Sequence, residues 1–547
     1  MAWPYHLADL SPDQLHQRRI LLDRYGIYAQ LSVLIPVLGY QLFRFGGWVY
    51  STRKKLPVVY STIPNSSIEK PSRKLTSEAI TRRWKSVVWC LNGEVAPNLG
   101  FRKHWIAAAA WTLWLLFLCI CETGQDYLHV TKRFGVVASS QLPVHYMLSM
   151  KSRYSPIAFA FNTSHEQLNP WHRFSGGIIY FLLLCHATWY MNFFIQARVL
   201  SQRLSSLSSI TGILAITLLT ILASTSLQRV RRWSYRAFYN SHLAIGLSIL
   251  PIIFFHAKSL RLYAIEALAL FVADRFCRKL DTVTGFATIM HVPHTKLLKV
   301  KIPIPASKLS RFRAMPGQHV YLSIPPESAV AAKSSPFTHS HLANPFSVAE
   351  VSETDITLVL RARGGPTTHA LCNLANPLMA KSPISIEGPY GSSRQFATLS
   401  MEFDRILLVA GGIGGTFILP IFYALQDNID AEDKGADRVT FTWSMKSVAE
   451  IGWLNDLEEG QPLVQNKNVK IHLTQNDSLT SSFNDAVSAA DGSIEMQILH
   501  DLAEVENGRP DLKKLVDDIF NSTSQQQVAV LFCGPLEMGR ELRTYIG

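Results

Sequence analysis

The segments HRFSGGIIYFLLLCH (172–186) and HLAIGLSILPIIFFH (242–256) decide the reading of this chain. Each has an uncharged, largely apolar stretch, 174–185 and 243–255, and carries two histidines fourteen residues apart: His172 with His186, and His242 with His256. Fourteen residues of α-helix rise about 21 Å and close to within about 40° of four full turns, so both histidines of a pair share one face near opposite ends of a membrane-crossing helix. Ionisable residues inside a bilayer are costly and mark functional sites. Neutral imidazole is a good axial ligand for haem iron, and two imidazoles fill both axial positions, which favours electron transfer over oxygen binding at the metal. The four histidines are therefore read as ligands of two b-type haem irons. His145, alone in a neighbouring segment, is read as a satisfied core histidine.

Working outward, the chain has 547 residues, of which only 17% are charged, and its mean hydropathy is positive at +0.11. Much of it is expected to lie in lipid. Long uncharged runs predict spans near 25–43, 104–121, 134–150, 174–197, 204–227 and 237–257, with a seventh near 260–276 that contains Glu266. The net charge of +13 is not a nucleic-acid signature, because its distribution follows the membrane. Between Arg53 and Lys103, eleven Lys or Arg stand against three acids, between the first two spans. A second cluster, Arg229, Arg231, Arg232 and Arg236, falls between spans five and six. Under the positive-inside rule both loops are cytosolic, the N-terminus is outside, and everything after about Arg278 is in the cytosol. His172 and His242 then share the inner end and His186 and His256 the outer, which pairs them accordingly. Arg173 and Arg232 are read either as partners of the inner haem propionates or as positive-inside flanks. The sequons at Asn65, Asn162, Asn476 and Asn521 all fall inside and are expected to be unglycosylated.

The seven cysteines are scattered without a CxxC pair, so neither a zinc site nor a disulfide framework is expected. Residues 1–24 are polar and read as a short outer tail, and the first span as an uncleaved anchor. The transmembrane domain is assigned to 25–278. From about Asp281, KLLKVKIPI, HVYLSI, ITLVLRA and PISIEG have strand length and pattern, predicting a small antiparallel barrel over 281–395, with an insertion at Glu327–Leu342. From 396 to 547 strands alternate with helical stretches: RILLVAGG, FILPIFYALQ, RVTFTWSM, NVKIHLT and QVAVLFCG predict a parallel, Rossmann-like α/β domain, with a loop from Asn476 to Ser493. The fold class is thus multi-domain: an α-helical transmembrane bundle of about seven helices, then an antiparallel β-barrel, then an α/β domain.

Gly411-Gly412-Ile413-Gly414-Gly415 follows a strand and opens a helix, where bare backbone N–H groups can approach a dinucleotide pyrophosphate. Upstream stand Pro316-Gly317-Gln318-His319, Asn344-Pro345-Phe346-Ser347 and Gly388-Pro389-Tyr390-Gly391, and downstream Cys533-Gly534-Pro535. In this order, after the histidines, the motifs resemble those of the fungal ferric reductase family, within the superfamily that includes the NADPH oxidases. The resemblance covers about residues 104–547. It implies FAD, two haem b and NADPH as cofactors. It also implies that Pro345, Phe346 and Ser347 contact FAD, that His319 belongs to the preceding flavin-domain strand, and that Gly365 with Thr367 or Thr368 holds flavin phosphates. Gly411, Gly412 and Gly414 match the NADPH pyrophosphate loop. Cys533, Gly534 and Pro535 match the segment beside the nicotinamide, with Cys533 at the catalytic position. Lys446 is either a partner of the NADPH 2′-phosphate or a solvated lysine.

The chain departs from the family pattern in carrying Asn344 where relatives have His, and in ending at Gly547 where relatives continue into an aromatic-containing tail. Pro336-Phe337-Thr338 is read as a decoy of the flavin motif. The activity implied is NADPH-dependent reduction of ferric chelates, with cupric chelates as a further acceptor, across the plasma membrane, with the FAD and NADPH domains cytosolic and a metal-uptake system as a partner. An NADPH oxidase making superoxide and a non-catalytic membrane relative are the alternatives.

Overall fold

In a computed structural model of the chain, the described residues are 5–54, 83–97, 99–313, 316–325, 343–375, 381–391, 396, 399–431, 438–454, 466–475, 505–521 and 526–547. The insertion at 327–342, with Pro336-Phe337-Thr338, and the loop at 476–493 lie outside them, as does much of the basic loop after the first span. The chain divides into two compact units, Met1–Cys277 and Arg278–Gly547.

The first unit is helical. Helices α1 (Pro12–Leu31) and α2 (Leu34–Lys54) are followed by α3 (Arg102–Ile120), α4 (Tyr127–Ser140), α5 (Leu142–Ser149), α6 (His165–Gln196), α7 (Leu207–Thr225), α8 (Tyr235–His256) and α9 (Arg261–Asp281). Among the described residues, five stretches are long and apolar enough to cross a membrane: Pro12–Val49, Arg102–Ile120, His165–Gln196, Leu207–Thr225 and Tyr235–His256. The span expected at 134–150 is two short helices. Pro143 has no N–H for the carbonyl four residues back, and the chain is reset at Gln141, whose side chain donates to the Ala29 carbonyl at 2.8 Å. The seventh span lies in α9, a helix of sufficient length that carries Glu266, Asp274 and several basic residues. The membrane helices thus number between five by apolarity and seven when these two are counted.

The supposed tail is helical from Pro12. Ser11 and Gln14 form a reciprocal capping box, Pro12 occupies the first turn, and Leu22, Tyr25 and Ala29 are buried. Asp126 caps α4, accepting from Leu128 N at 3.0 Å and His129 N at 3.2 Å, and is paired with Arg18 at 2.9 Å.

The second unit opens with a closed six-stranded antiparallel barrel: β1 (Thr282–His291), β2 (Leu297–Pro303), β3 (His319–Ser323), β4 (Asn344–Val351), β5 (Asp355–Arg361) and β6 (Ser382–Tyr390), in the order β1-β2-β5-β4-β3-β6. Inward residues such as Leu298, Val300, Val320, Leu322, Leu358 and Ile384 are almost fully buried, as closure around a small core requires. Arg278 clamps the β1–β6 seam with two bonds to Glu387, at 2.6 and 3.0 Å. Helix α10 (Pro366–Leu374) follows β5.

A parallel five-stranded sheet completes the unit: β7 (Arg405–Gly411), β8 (Val439–Met445), β9 (Val469–Leu473), β10 (Val505–Asn507) and β11 (Val528–Cys533), in the order β10-β9-β8-β7-β11, with α11 (Gly415–Ala431), α12 (Leu512–Asn521) and α13 (Leu536–Ile546). Strands β8 to β10 extend to one side of β7 and β11 to the other. The strand order therefore reverses between β7 and β11, and ligands of such sheets sit in the crevice at that point. The barrel residues Val292, Leu297, Ala349 and Val359 join the apolar core of the sheet.

Candidate functional site: paired imidazoles and a glycine-lined crevice

In the helical unit α6 supplies His172 and His186, and α8 supplies His242 and His256. The structure brings His172 beside His242, with ring centroids 6.1 Å apart, and His186 beside His256, at 6.4 Å. Two imidazoles on opposite sides of one metal, each bonded at about 2 Å with about 1.1 Å more to the ring centre, place their centroids about 6.2 Å apart. Both pairs meet that distance.

The second test of fit is the hydrogen bonding of the far nitrogens. His172 Nδ1 lies 3.2 Å from the His145 carbonyl, His186 Nδ1 2.7 Å from the Thr131 carbonyl and His256 Nδ1 2.8 Å from the Ser208 carbonyl, while His242 Nδ1 is 3.2 Å from Ser226 Oγ. A carbonyl can only accept, so Nδ1 carries the proton at three of the four and Nε2 keeps its lone pair, the tautomer that a metal requires. Room is also made for the rings. A Cβ on Gly135 would lie 2.8 Å from the His186 ring, and one on Gly212 would lie 2.7 Å from that of His256. The residues present fit two bis-imidazole metal centres.

Arg173 and Arg232 are exposed. Arg231 also lies at this end, over the Phe238 ring at 5.1 Å, with Phe238 itself 5.3 Å from His242. His145 is not alone: its ring stacks on that of His172. No sequence period links the two, so only the fold could reveal the contact.

In the second unit, β4 lays Asn344, Pro345, Phe346 and Ser347 against Leu322, Tyr321, Val320 and His319 of β3. His319, Tyr321 and Tyr390 form an aromatic cluster with centroids 5.5–5.9 Å apart. Asn344 Nδ2 donates to Thr367 Oγ1 at 2.6 Å, joining the flavin-motif strand to the first turn of α10, where Gly365 caps the helix and Thr368 Oγ1 donates back to the Gly365 carbonyl. The two segments expected to hold one flavin are therefore adjacent.

At the end of β7 the glycines meet a second demand. A Cβ on Gly414 would lie 2.0 Å from the Cys533 carbonyl oxygen, one on Gly411 2.5 Å from Pro535 Cδ, and one on Gly415 2.3 Å from the Trp443 ring. Gly411 and Gly414 let the turns after β7 and β11 close on each other, and Gly415 admits the Trp443 ring of β8. Gly412, at φ +54°, has its carbonyl held by Trp443 Nε1 at 2.9 Å. Cys533 and Gly534 thus flank the same crevice as Gly411 and Gly414. Burial pushes the Cys533 thiol up from its ordinary value, so it stays protonated near neutrality. Lys446 follows β8, the strand beside β7, and is exposed. Arg361, which sequence patterning gave no reason to single out, ends β5 near Gly412 and is held by Glu450 at 2.6 Å.

A membrane bundle offering paired imidazoles, a flavin-type barrel and a nucleotide-type parallel sheet define an integral membrane oxidoreductase built for flavin and pyridine nucleotide. Three family models match in succession: the ferric reductase like transmembrane component over residues 134–253, an FAD-binding domain over 286–394 and the ferric reductase NAD binding domain over 403–546. The chain belongs to the ferric reductase family. It is 24% identical to ferric reductase transmembrane component 1 of Schizosaccharomyces pombe over 452 residues, covering 76% of each chain. It is 25% identical over 459 residues to the probable metalloreductase AIM14 of Meyerozyma guilliermondii, covering 79% of this chain and 85% of that one. The ferric/cupric reductase transmembrane component 2 of S. pombe is 23% identical over 445 residues, covering 74% of this chain and 76% of the relative.

Proposed function

We propose that this chain transfers electrons across the plasma membrane from cytosolic NADPH to a ferric or cupric chelate on the far side, with FAD and two b-type haems as resident carriers, and so supplies a metal-uptake system. The observation that carries this reading is the pair of imidazole pairs, at 6.1 and 6.4 Å, with all four Nδ1 atoms already bonded. In it His172 and His242 hold one iron at the inner level, and His186 and His256 hold the second at the outer. When bound, a flavin accepts a two-electron hydride and releases electrons singly, and haem iron accepts them one at a time.

The remaining roles belong to the second unit. Pro345, Phe346 and Ser347 flank the flavin, Gly365 and Thr367 with Thr368 hold its phosphates at the N-terminus of α10, and the strand carrying His319 backs them. Gly411, Gly412 and Gly414 receive the NADPH pyrophosphate at the start of α11, Lys446 takes the 2′-phosphate, and Cys533, Gly534 and Pro535 border the nicotinamide. A protonated Cys533 adds no negative charge beside a departing hydride. Asn344 favours a working enzyme over a non-catalytic relative, because its bond to Thr367 joins the two flavin segments.

The decisive assay is NADPH-driven reduction of a membrane-impermeant ferric chelate, with and without superoxide dismutase. Reduction that dismutase leaves unchanged is expected. Abolition by dismutase would make the chain an NADPH oxidase and sink direct metal reduction.

A further inference from the structure

Beside the His172/His242 pair, two consecutive side chains of helix α5 reach α6 and α8. The His145 ring lies parallel to that of His172, centroids 4.1 Å apart and planes 18° apart. The main-chain oxygen of the same residue accepts from His172 Nδ1 at 3.2 Å. His145 Nδ1 is in turn 2.9 Å from Ser175 Oγ, which lies one turn beyond His172 on α6. Gly176 leaves space for this ring, since a Cβ there would stand 3.1 Å from His145 Cε1. The next residue, Tyr146, donates its hydroxyl to the Gly246 carbonyl at 2.6 Å, one turn beyond His242 on α8. One short helix therefore grips both histidine-bearing helices at the same level. The His186/His256 pair has a backbone carbonyl and a glycine behind His186, but among the described residues no stacked imidazole.

We propose that His145 is a positioning residue for His172: it fixes the edge of the ring through its carbonyl and the plane of the ring through its imidazole. The inference rests on reading His172 and His242 as an axial pair. The planes of His172 and His242 stand at 66°, against 84° for His186 and His256. Relative ring orientation governs the splitting of the iron orbitals in a bis-imidazole centre, and with it the electron paramagnetic resonance signature and the reduction potential. The rings are held by different means at the two levels, so the two centres are separable by variants at residue 145.

The test uses the purified full-length holoprotein and its His145→Ala, His145→Phe, Ser175→Ala and His172→Ala variants. Haem content, low-temperature resonance spectra of the oxidised protein and potentiometric titration are read in each. All variants at 145 keep the carbonyl, so the His172 Nδ1 bond survives while the stack and the bond to Ser175 change; His145→Phe restores the stack alone. In His145→Ala the highest g value of one low-spin signal and the matching step of the titration shift, while the other signal and step stay. His145→Phe, which restores a flat ring, returns both toward the parent, and Ser175→Ala shifts the same signal less. Unchanged signals in His145→Ala with both haems bound overturn the proposal, as does a His145→Phe protein displaced as far as His145→Ala. If the parent lacks bis-imidazole signals, or His172→Ala keeps both haems, the axial-pair reading itself fails and takes the proposal with it.

Discussion

Single residues set the tolerances of the nucleotide crevice. Gly414 is the least replaceable, because the Cβ of alanine would sit against the Cys533 carbonyl, a backbone atom that cannot swing aside. Gly414→Ala should destabilise the second unit by about 1–3 kcal/mol or more, the usual range for overpacking. Thermal unfolding followed by flavin release will show this, with the haem absorbance unaltered at low temperature. Gly412 has space but a positive φ, so Gly412→Ala should cost about 1–2 kcal/mol. Removing the Asn344–Thr367 bond with Asn344→Ala should cost about 1 kcal/mol and weaken flavin retention several-fold, measured by dialysis against apo-flavin buffer. Cys533 offers a pH test. Its raised pKa means that the reactive thiolate is scarce near neutrality, so alkylation should trail that of exposed Cys90 and accelerate only in alkaline buffer. Equal rates at neutral pH, read by peptide mass spectrometry, would contradict this.

At the scale of elements, legibility followed how strongly each segment's period was written in side chains. The strands β2, β3, β5 and β6 announced themselves with Val, Leu and Ile. Strand β1 did not, because two of its inward positions are Gly285 and Ala287 while Phe286 faces outward and is exposed. Gly285 is required there, since a Cβ would lie 2.7 Å from the Pro303 carbonyl oxygen of β2. Strand β10, three residues long, is too short for any period to register. The start of α1 was hidden by its polarity, although Ser11-Pro12-Asp13-Gln14 contains a capping box that marks a helix start. The haem-ligand candidates were legible because fourteen is close to a whole number of turns, whereas the His145 stack joins two helices and leaves no periodic trace. The Arg278–Glu387 clamp, with side chains only 11% and 13% exposed, yields an element-level prediction. Glu387→Ala should cost about 2–3 kcal/mol, because a partly desolvated guanidinium loses these two charged bonds. Hydrogen exchange should rise first along Thr282–Ala287, the stretch paired with β6.

For the whole molecule, the charge pattern predicts sidedness. In sealed inside-out vesicles added NADPH should reduce the haems, whereas right-side-out vesicles should need permeabilisation; reduction of sealed right-side-out vesicles by external NADPH would reverse the orientation. One feature of the bundle reaches further than assembly. His186 and His256 each lie against a glycine of a neighbouring helix and have Nδ1 bonded to a backbone carbonyl, so withdrawing either ring breaks that bond. In the proposed two-haem reading, rings held in this way resist displacement from the iron. Carbon monoxide and cyanide, which need a vacated position, should therefore leave the reduced and oxidised spectra untouched, and the chain should keep working in cells whose respiration those poisons have stopped.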